Sequence, residues 1–241
     1  MDLIKEIVSR AQANKQRIVL PEGTEERTLK AANQILTDEV ADLILLGNRS
    51  EIEEAAKKWG LGNISKATII DPATSPKKEE YAQLLFELRK KKGMTIEEAH
   101  QKVQDPLFYG CLMIKAGDAD GQLAGARNTT GNVLRPALQI IKTAPGITCV
   151  SGAMLLLTKA PNYGKNGILV MGDVAVTPVP DAGQLYRPHS QSRGRNRPEG
   201  SYAELLHQRF CETRSRRQSS GSDQAGTRNG SGSQHRRRTP G

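Results

Sequence analysis

At 241 residues the chain has room for one large domain or two modest ones, and its formal net charge of +9 at first suggests a binder of polyanions. The charge is uneven: residues 186–241 hold twelve arginines, no lysine and four acids, whereas residues 1–185 hold 23 basic and 22 acidic side chains. The near-neutral body excludes a basic nucleic-acid domain, and three widely spaced cysteines with no C-x-x-C pair exclude a disulfide framework and predict a reducing compartment without a structural metal.

The opening MDLIKEIVSR interleaves charge with apolar residues and lacks the apolar core of a signal peptide. No run approaches the roughly 18 apolar residues of a membrane span, so the cytoplasm is the expected location. Residues 2–14 read as an amphipathic helix with Leu3, Ile4, Ile7, Val8 and Ala11 on one face. Arg17–Leu20 is a short β-type run stopped by Pro21-Glu22-Gly23. Thr24 is the expected cap of the next helix, with Glu25 and Glu26 in its first turn. Asp42–Leu46 reads as a buried strand ending at Gly47. Ser50 and Glu53 fit the S-x-x-E capping box of another helix, and Ala67–Ile70 reads as a third strand.

Ser75-Pro76 is expected to open a long helix with proline at the first helical position and Tyr81, Leu84, Leu85 and Leu88 toward the core. Arg89, Lys90, Lys91 and Lys92 crowd its end before Gly93, and a Thr95–Glu98 capping box begins the next helix. The alternation of helix and strand predicts an α/β fold with a mostly parallel sheet covered on both faces. Leu107–Ile114 is a further apolar segment. Ile147–Leu157 and Ile168–Val176 read as two neighbouring strands, in a hairpin with a long loop through Pro161–Gly167. From Tyr186 onward there is no isoleucine or valine in 56 residues, a composition that predicts a disordered tail.

Gly117–Thr143, GDADGQLAGARNTTGNVLRPALQIIKT, is the densest chemistry-bearing stretch. Its glycines allow close backbone approach, Thr129 and Thr130 offer hydroxyls and a helix cap, and Arg135 offers a planar fork of donors. A polar loop that merely caps a helix has the same composition. Arg89 reads equally as a ligand for an anion or as a cation complementing its helix end. Asp173 sits at a strand end, where open α/β sheets place ligands. His100, the only histidine in residues 1–185, is expected on a helix surface. No dinucleotide, phosphate-loop, nucleophile-elbow or zinc-protease signature is present.

ELRKKKGMTIEEA, FYGCLMIKAGDADGQLAGARNTTGNVLRPALQIIKTAPG, VSGAMLL and GDVAVTPVP, in this order and with RIVLPEG before them, resemble the phosphate acetyltransferase (phosphotransacetylase) family over about residues 1–185. The resemblance implies reversible acetyl transfer between coenzyme A and inorganic phosphate, with acetyl-CoA, phosphate and acetyl phosphate as partners and no bound cofactor or metal. It implies a three-layer α/β/α, isocitrate dehydrogenase-like two-domain fold and a homodimer when complete. It assigns substrate or coenzyme A binding to Arg89, Thr129, Thr130 and Arg135. Arg127-Asn128 stands where many members have Val-His, so no histidine role is carried over.

The expected organisation is a first α/β domain over 1–145, the start of a second over 146–185, and a tail over 186–241. The family's later Ser-Arg pair and aspartate have no counterpart, so no catalytic residue is assigned. The tail has a structure of its own in codon space. Codons exist for residues 201–225, SYAELLHQRFCETRSRRQSSGSDQA, that spell PMLSFSTKGSARHEVDDKVVEATKQ when read one nucleotide later. That string resembles the family's next segment. Residues from about Tyr186 are therefore expected to be an out-of-frame reading, and the chain an inactive truncated form. The alternatives are a phosphate butyryltransferase or malic-enzyme-associated domain, and an Arg-rich RNA-binding tail on a non-catalytic α/β domain. Nucleic acid is disfavoured because the tail lacks lysine and has few aromatics for stacking.

Overall fold

The computed structural model describes residues 3–143, 150, 153–164 and 166–172. The chain divides into two units, Met1–Lys142 and Thr143–Gly241.

The first unit is built on four parallel strands, β1 (Arg17–Leu20), β2 (Asp42–Leu46), β3 (Thr68–Ile70) and β4 (Gly121–Gln122), in the order β3-β2-β1-β4. Arg17 lies opposite Asp42 and Leu20 opposite Leu45, while Val19 lies opposite Gln122. Side chains alternate across a pleated strand, so each strand feeds two cores. Val19, Ile44 and Leu46 join Tyr81, Leu85, Ala99, Leu112 and Ile140 on one face. Leu20, Leu43, Leu45 and Ile69 join Leu29, Ala32, Leu36 and Ile52 on the other. This double burial explains why β2 is continuously apolar, and it bears out a parallel sheet with helices on both faces.

The helices are α1 (Leu3–Ala13), α2 (Glu26–Thr37), α3 (Arg49–Lys58), α4 (Lys78–Arg89), α5 (Ile96–Lys102), α6 (Pro106–Ala116) and α7 (Thr130–Pro136). Several starts differ from the sequence expectation. Glu25, not Thr24, caps α2: a Glu22–Glu25 turn places Thr24 one residue early, and the Glu25 carboxylate accepts from Thr28 N–H. Asn48, not Ser50, caps α3, its side-chain oxygen accepting from Ser50 and Glu51 N–H. Pro76 lies in the turn before α4, where Ser75 Oγ accepts from Lys77 N–H at 3.2 Å. The Thr95–Glu98 box does form at α5. On α1 only Leu3 is fully buried; Ile4 and Ile7 are 53% and 47% exposed, so the expected apolar face is largely uncovered.

The Leu107–Ile114 segment lies in α6, whose residues from Leu107 to Met113 are all buried. A helix covered on every side shows no apolar stripe, which is why its type was not evident. β4 was missed for a different reason, being two residues without a β-branched side chain. It is fixed by charge: Arg17 Nε and Nη2 fork onto Asp120, and Lys77 and Tyr81 hold Asp118. Those contacts also place the start of α4 beside the amino end of β4, and Arg89 about 18 Å further along the helix.

In the second unit β5 (Ala153–Leu157) pairs antiparallel with β6 (Ile168–Gly172), the hairpin expected from the sequence. Met154, Leu155, Leu156, Leu157 and Met171 are 41–48% exposed. Asp173, the rest of the two expected strands and the expected disordered tail from Tyr186 lie outside the described residues.

Candidate functional site at the carboxyl edge of β1 and β4

The strand order places β1 between β2 and β4, with the chain leaving to one side for β2 and returning on the other for β4. Open α/β sheets bind ligands beyond the carboxyl ends of the strands at such a reversal. Two loops meet there. One is Pro21–Glu25 after β1; the other is Leu123–Thr129 after β4.

Glu22 joins them. It is only 8% exposed, and its carboxylate accepts five hydrogen bonds. Oε2 takes the N–H groups of Gly125 (2.9 Å) and Ala126 (2.7 Å). Oε1 takes those of Arg127 (2.8 Å) and Asn128 (3.0 Å), and Asn128 Nδ2 (2.9 Å). Burial pushes the carboxyl pKa up, but the donors from Arg127, Asn128, Ala126 and Gly125 outweigh it and hold it at about 2. Gly23 allows this arrangement: its N–H donates to Leu46 carbonyl at 3.2 Å, and a Cβ there would lie 2.5 Å from the same oxygen.

Arg27 grips the loop from outside. Its Nε pairs with Glu25 Oε1 at 2.7 Å, and its Nη2 donates to Ala126 carbonyl at 2.5 Å. The Arg27 bond, then the Thr28 N–H, hold Glu25 below the usual carboxylate range. The loop is thus anchored through both its donors and one acceptor.

The backbone amides of 125–128 are already occupied by this internal carboxylate. What remains open is side-chain chemistry. Thr129 caps α7, its Oγ accepting from Asn132 N–H at 3.3 Å, which leaves its own O–H as a donor. Thr130 is exposed at the first helical position, and Arg135 is exposed in the last turn. Pro136 follows, buried and without an N–H, and the helix continues as a π turn over Ala137–Ile141.

Arg89 ends α4 half-buried, and its Nε is buried without a hydrogen-bond partner among the described residues. It does not bond the carbonyls at its helix end; the Lys90 N–H caps Phe86 carbonyl instead. The structure places Thr129, Thr130 and Arg135 on one short helix and Arg89 on another element, packed through a shared core containing Leu85 and Ile140. No hydrogen bond joins Arg89 to the other three among the described residues.

His100 lies on α5 with Nε2 2.9 Å from Glu79 Oε2. Cys111 is buried in α6, and burial pushes its thiol up to about 11, which leaves no nucleophilic thiolate at neutral pH. Glu22, Arg27 and Asn128 were not singled out as site residues from the sequence. The available signal was an acid flanked by proline and glycine directly after the first strand.

Comparison with known proteins agrees with the architecture. The model of the family described as phosphate acetyl/butaryl transferase matches residues 2–192. A phosphate acetyltransferase of Thermoanaerobacterium thermosaccharolyticum is 48% identical over 185 residues, covering 77% of this chain and 56% of that protein. One from Clostridium acetobutylicum is 47% identical over 185 residues, covering 77% and 55%. The chain therefore spans about half the length of these relatives. Among solved structures, a phosphotransacetylase from Streptococcus pyogenes superposes with a TM-score of 0.70 at 29% identity, over 78% of this chain and 56% of that one. The EutD phosphotransacetylase from Staphylococcus aureus gives 0.69 at 28% identity, over 90% and 70%. On a match that covers most of the chain, and on a fold shared with solved phosphotransacetylases, the chain belongs to the phosphate acetyl/butaryl transferase family.

Proposed function

We propose that this chain is the front portion of a phosphate acetyltransferase, which exchanges an acetyl group between coenzyme A and inorganic phosphate. The observation that supports this best is Arg89, whose Nε is buried without a hydrogen-bond partner among the described residues, with Arg135 exposed in the last turn of α7. A buried guanidinium N–H without an acceptor is costly, and a phosphate or carboxylate is its natural complement. Arg89 and Arg135 would hold the phosphate and coenzyme A anions, with Thr129 and Thr130 donating hydroxyls beside them. A phosphate oxygen would then attack the thioester carbonyl. The new C–O bond forms as the C–S bond breaks, and the thiolate takes up the proton that phosphate gives up. Positioning and donors at the developing oxyanion supply the catalysis in this reading.

Residues 1–145 form a first domain and 146–185 begin a second. The Arg/Ser/Gly-rich residues 186–241 are an out-of-frame reading of the segment that should complete it. The complete protein would be a cytoplasmic homodimer with coenzyme A as substrate rather than bound cofactor. The family description covers butyryl as well as acetyl transfer, so acyl-chain length is the one real second reading. Thioester absorbance with coenzyme A and either acetyl or butyryl phosphate separates the two. The chain as given should show little or no turnover. A single-base correction near the Leu185 codon should give an enzyme that prefers acetyl phosphate. Equal turnover by the uncorrected chain, or none by the corrected one, contradicts the reading.

A further inference from the structure

We propose that Glu22 is a positioning residue: an internal anion that fixes the Gly125–Asn128 loop, and through it the hydroxyls of Thr129 and Thr130, before any ligand arrives. This deepens the proposed function and rests on it for the ligand. Three observations support it together. Glu22 as a residue is more than nine-tenths buried just beyond the end of β1. Its five donors come from four consecutive residues of a loop more than a hundred positions away in sequence. The next two residues are Thr129, which caps α7, and Thr130, which begins it.

Consecutive N–H groups that converge on one point make a concave anion site. Left empty here, the site would compete with the arginines for phosphate and would leave four backbone donors without acceptors. Glu22 fills it with a tethered carboxylate. The loop then has one conformation, and an incoming phosphate is directed to side chains that are still unpaired. The binding step avoids the entropy of ordering the loop, which is the gain from preorganisation. Gln cannot substitute, because its amide nitrogen would face N–H donors. Asp keeps the charge but is one methylene shorter.

The test uses the full chain with Glu22→Gln, Glu22→Asp and Glu22→Ala. Amide exchange at Gly125–Asn128 reports the hold on the loop, and calorimetric titration with coenzyme A reports the consequence. The wild-type amides should be protected. In Glu22→Gln they should exchange at least about tenfold faster, and the coenzyme A dissociation constant should rise about tenfold or more, with Glu22→Asp between. Sodium formate, which fits the vacated carboxylate position, should restore protection and affinity to Glu22→Ala but leave the wild type unchanged. Wild-type amides that exchange like an unstructured peptide overturn the proposal without recourse to any variant. So does loss of protection with unchanged affinity. Failure of the wild type to bind coenzyme A contradicts the functional reading and the ligand half of the proposal, while the exchange data still decide whether Glu22 holds the loop.

Discussion

Arg17 and Asp120 are joined at two points: Nε donates to Oδ2 at 3.0 Å and Nη2 to Oδ1 at 2.8 Å, while Oδ2 also accepts the Arg17 backbone N–H at 2.9 Å. These bonds, first the guanidinium and then the backbone N–H, hold Asp120 at about 2. The pair sits at the amino edge of the sheet, opposite the site, and determines where the very short β4 can lie. A lysine cannot reproduce the fork. Arg17→Lys should lower the melting temperature by only a few degrees, because both side chains are partly solvated. It should also speed amide exchange at Asp120 and Leu123, whose N–H groups bond β1 carbonyls. A variant with unchanged exchange there would show that β4 needs no such pin.

The close approach at Gly23 gives a second prediction. Its missing Cβ would fall 2.5 Å from a backbone oxygen, which cannot rotate away. Gly23→Ala should cost about 1–3 kcal/mol in urea unfolding, the usual range for forced overpacking. Gly131→Ala, where a Cβ meets nothing within 4 Å, is the control and should be near neutral or slightly stabilising.

Acid should act through Glu22. Its native value of about 2 lies below the ordinary 4.5, so its contribution to stability is complete above pH 4.5 and is lost as pH falls through the native value. The difference corresponds to about 3 kcal/mol. Urea unfolding of wild type and Glu22→Gln between pH 7 and pH 2.5 should show the gap between them narrowing as the solution is acidified. A gap independent of pH would mean that the loop donors do not lower the Glu22 pKa in the folded protein.

The core assignment is tested at Leu45, which is fully buried in the face shared with α2 and α3. Leu45→Ala should cost about 2–5 kcal/mol. Ile4→Ala, on the uncovered side of α1, should cost within about 0.5 kcal/mol.

How much of this was legible in the sequence depends on how local the physics is. Arg17–Leu20 and Asp42–Leu46 were readable because a strand buried on both faces is a short apolar run with a turn at its end. The Thr95–Glu98 box was readable because both of its partners lie within four residues. Thr24 and Ser50 misled because the path of the preceding turn, not composition, decides which side chain reaches the first N–H groups. β4 is two residues whose position depends on an ion pair 103 residues apart. Glu22 is the same problem at the site itself. Its role rests on donors equally remote, so the sequence showed a strand stop where the structure has the anchor of the loop. Thr129 and Thr130 were legible because a threonine before a helix has a local meaning. The unpaired Arg89 Nε was not, because among the described residues it depends on every acceptor that could have reached it.

The arginines give the most direct test. The gene corrected by one base near the Leu185 codon should yield an enzyme that forms acetyl-CoA from acetyl phosphate and coenzyme A. In that enzyme Arg135→Ala and Arg89→Ala should each lower kcat/KM by about tenfold or more, and exposed Arg135, with no hydrogen-bond partner among the described residues, should be lost without a change in melting temperature. A folded, corrected protein that forms no acetyl-CoA, or one indifferent to both substitutions, would contradict the account.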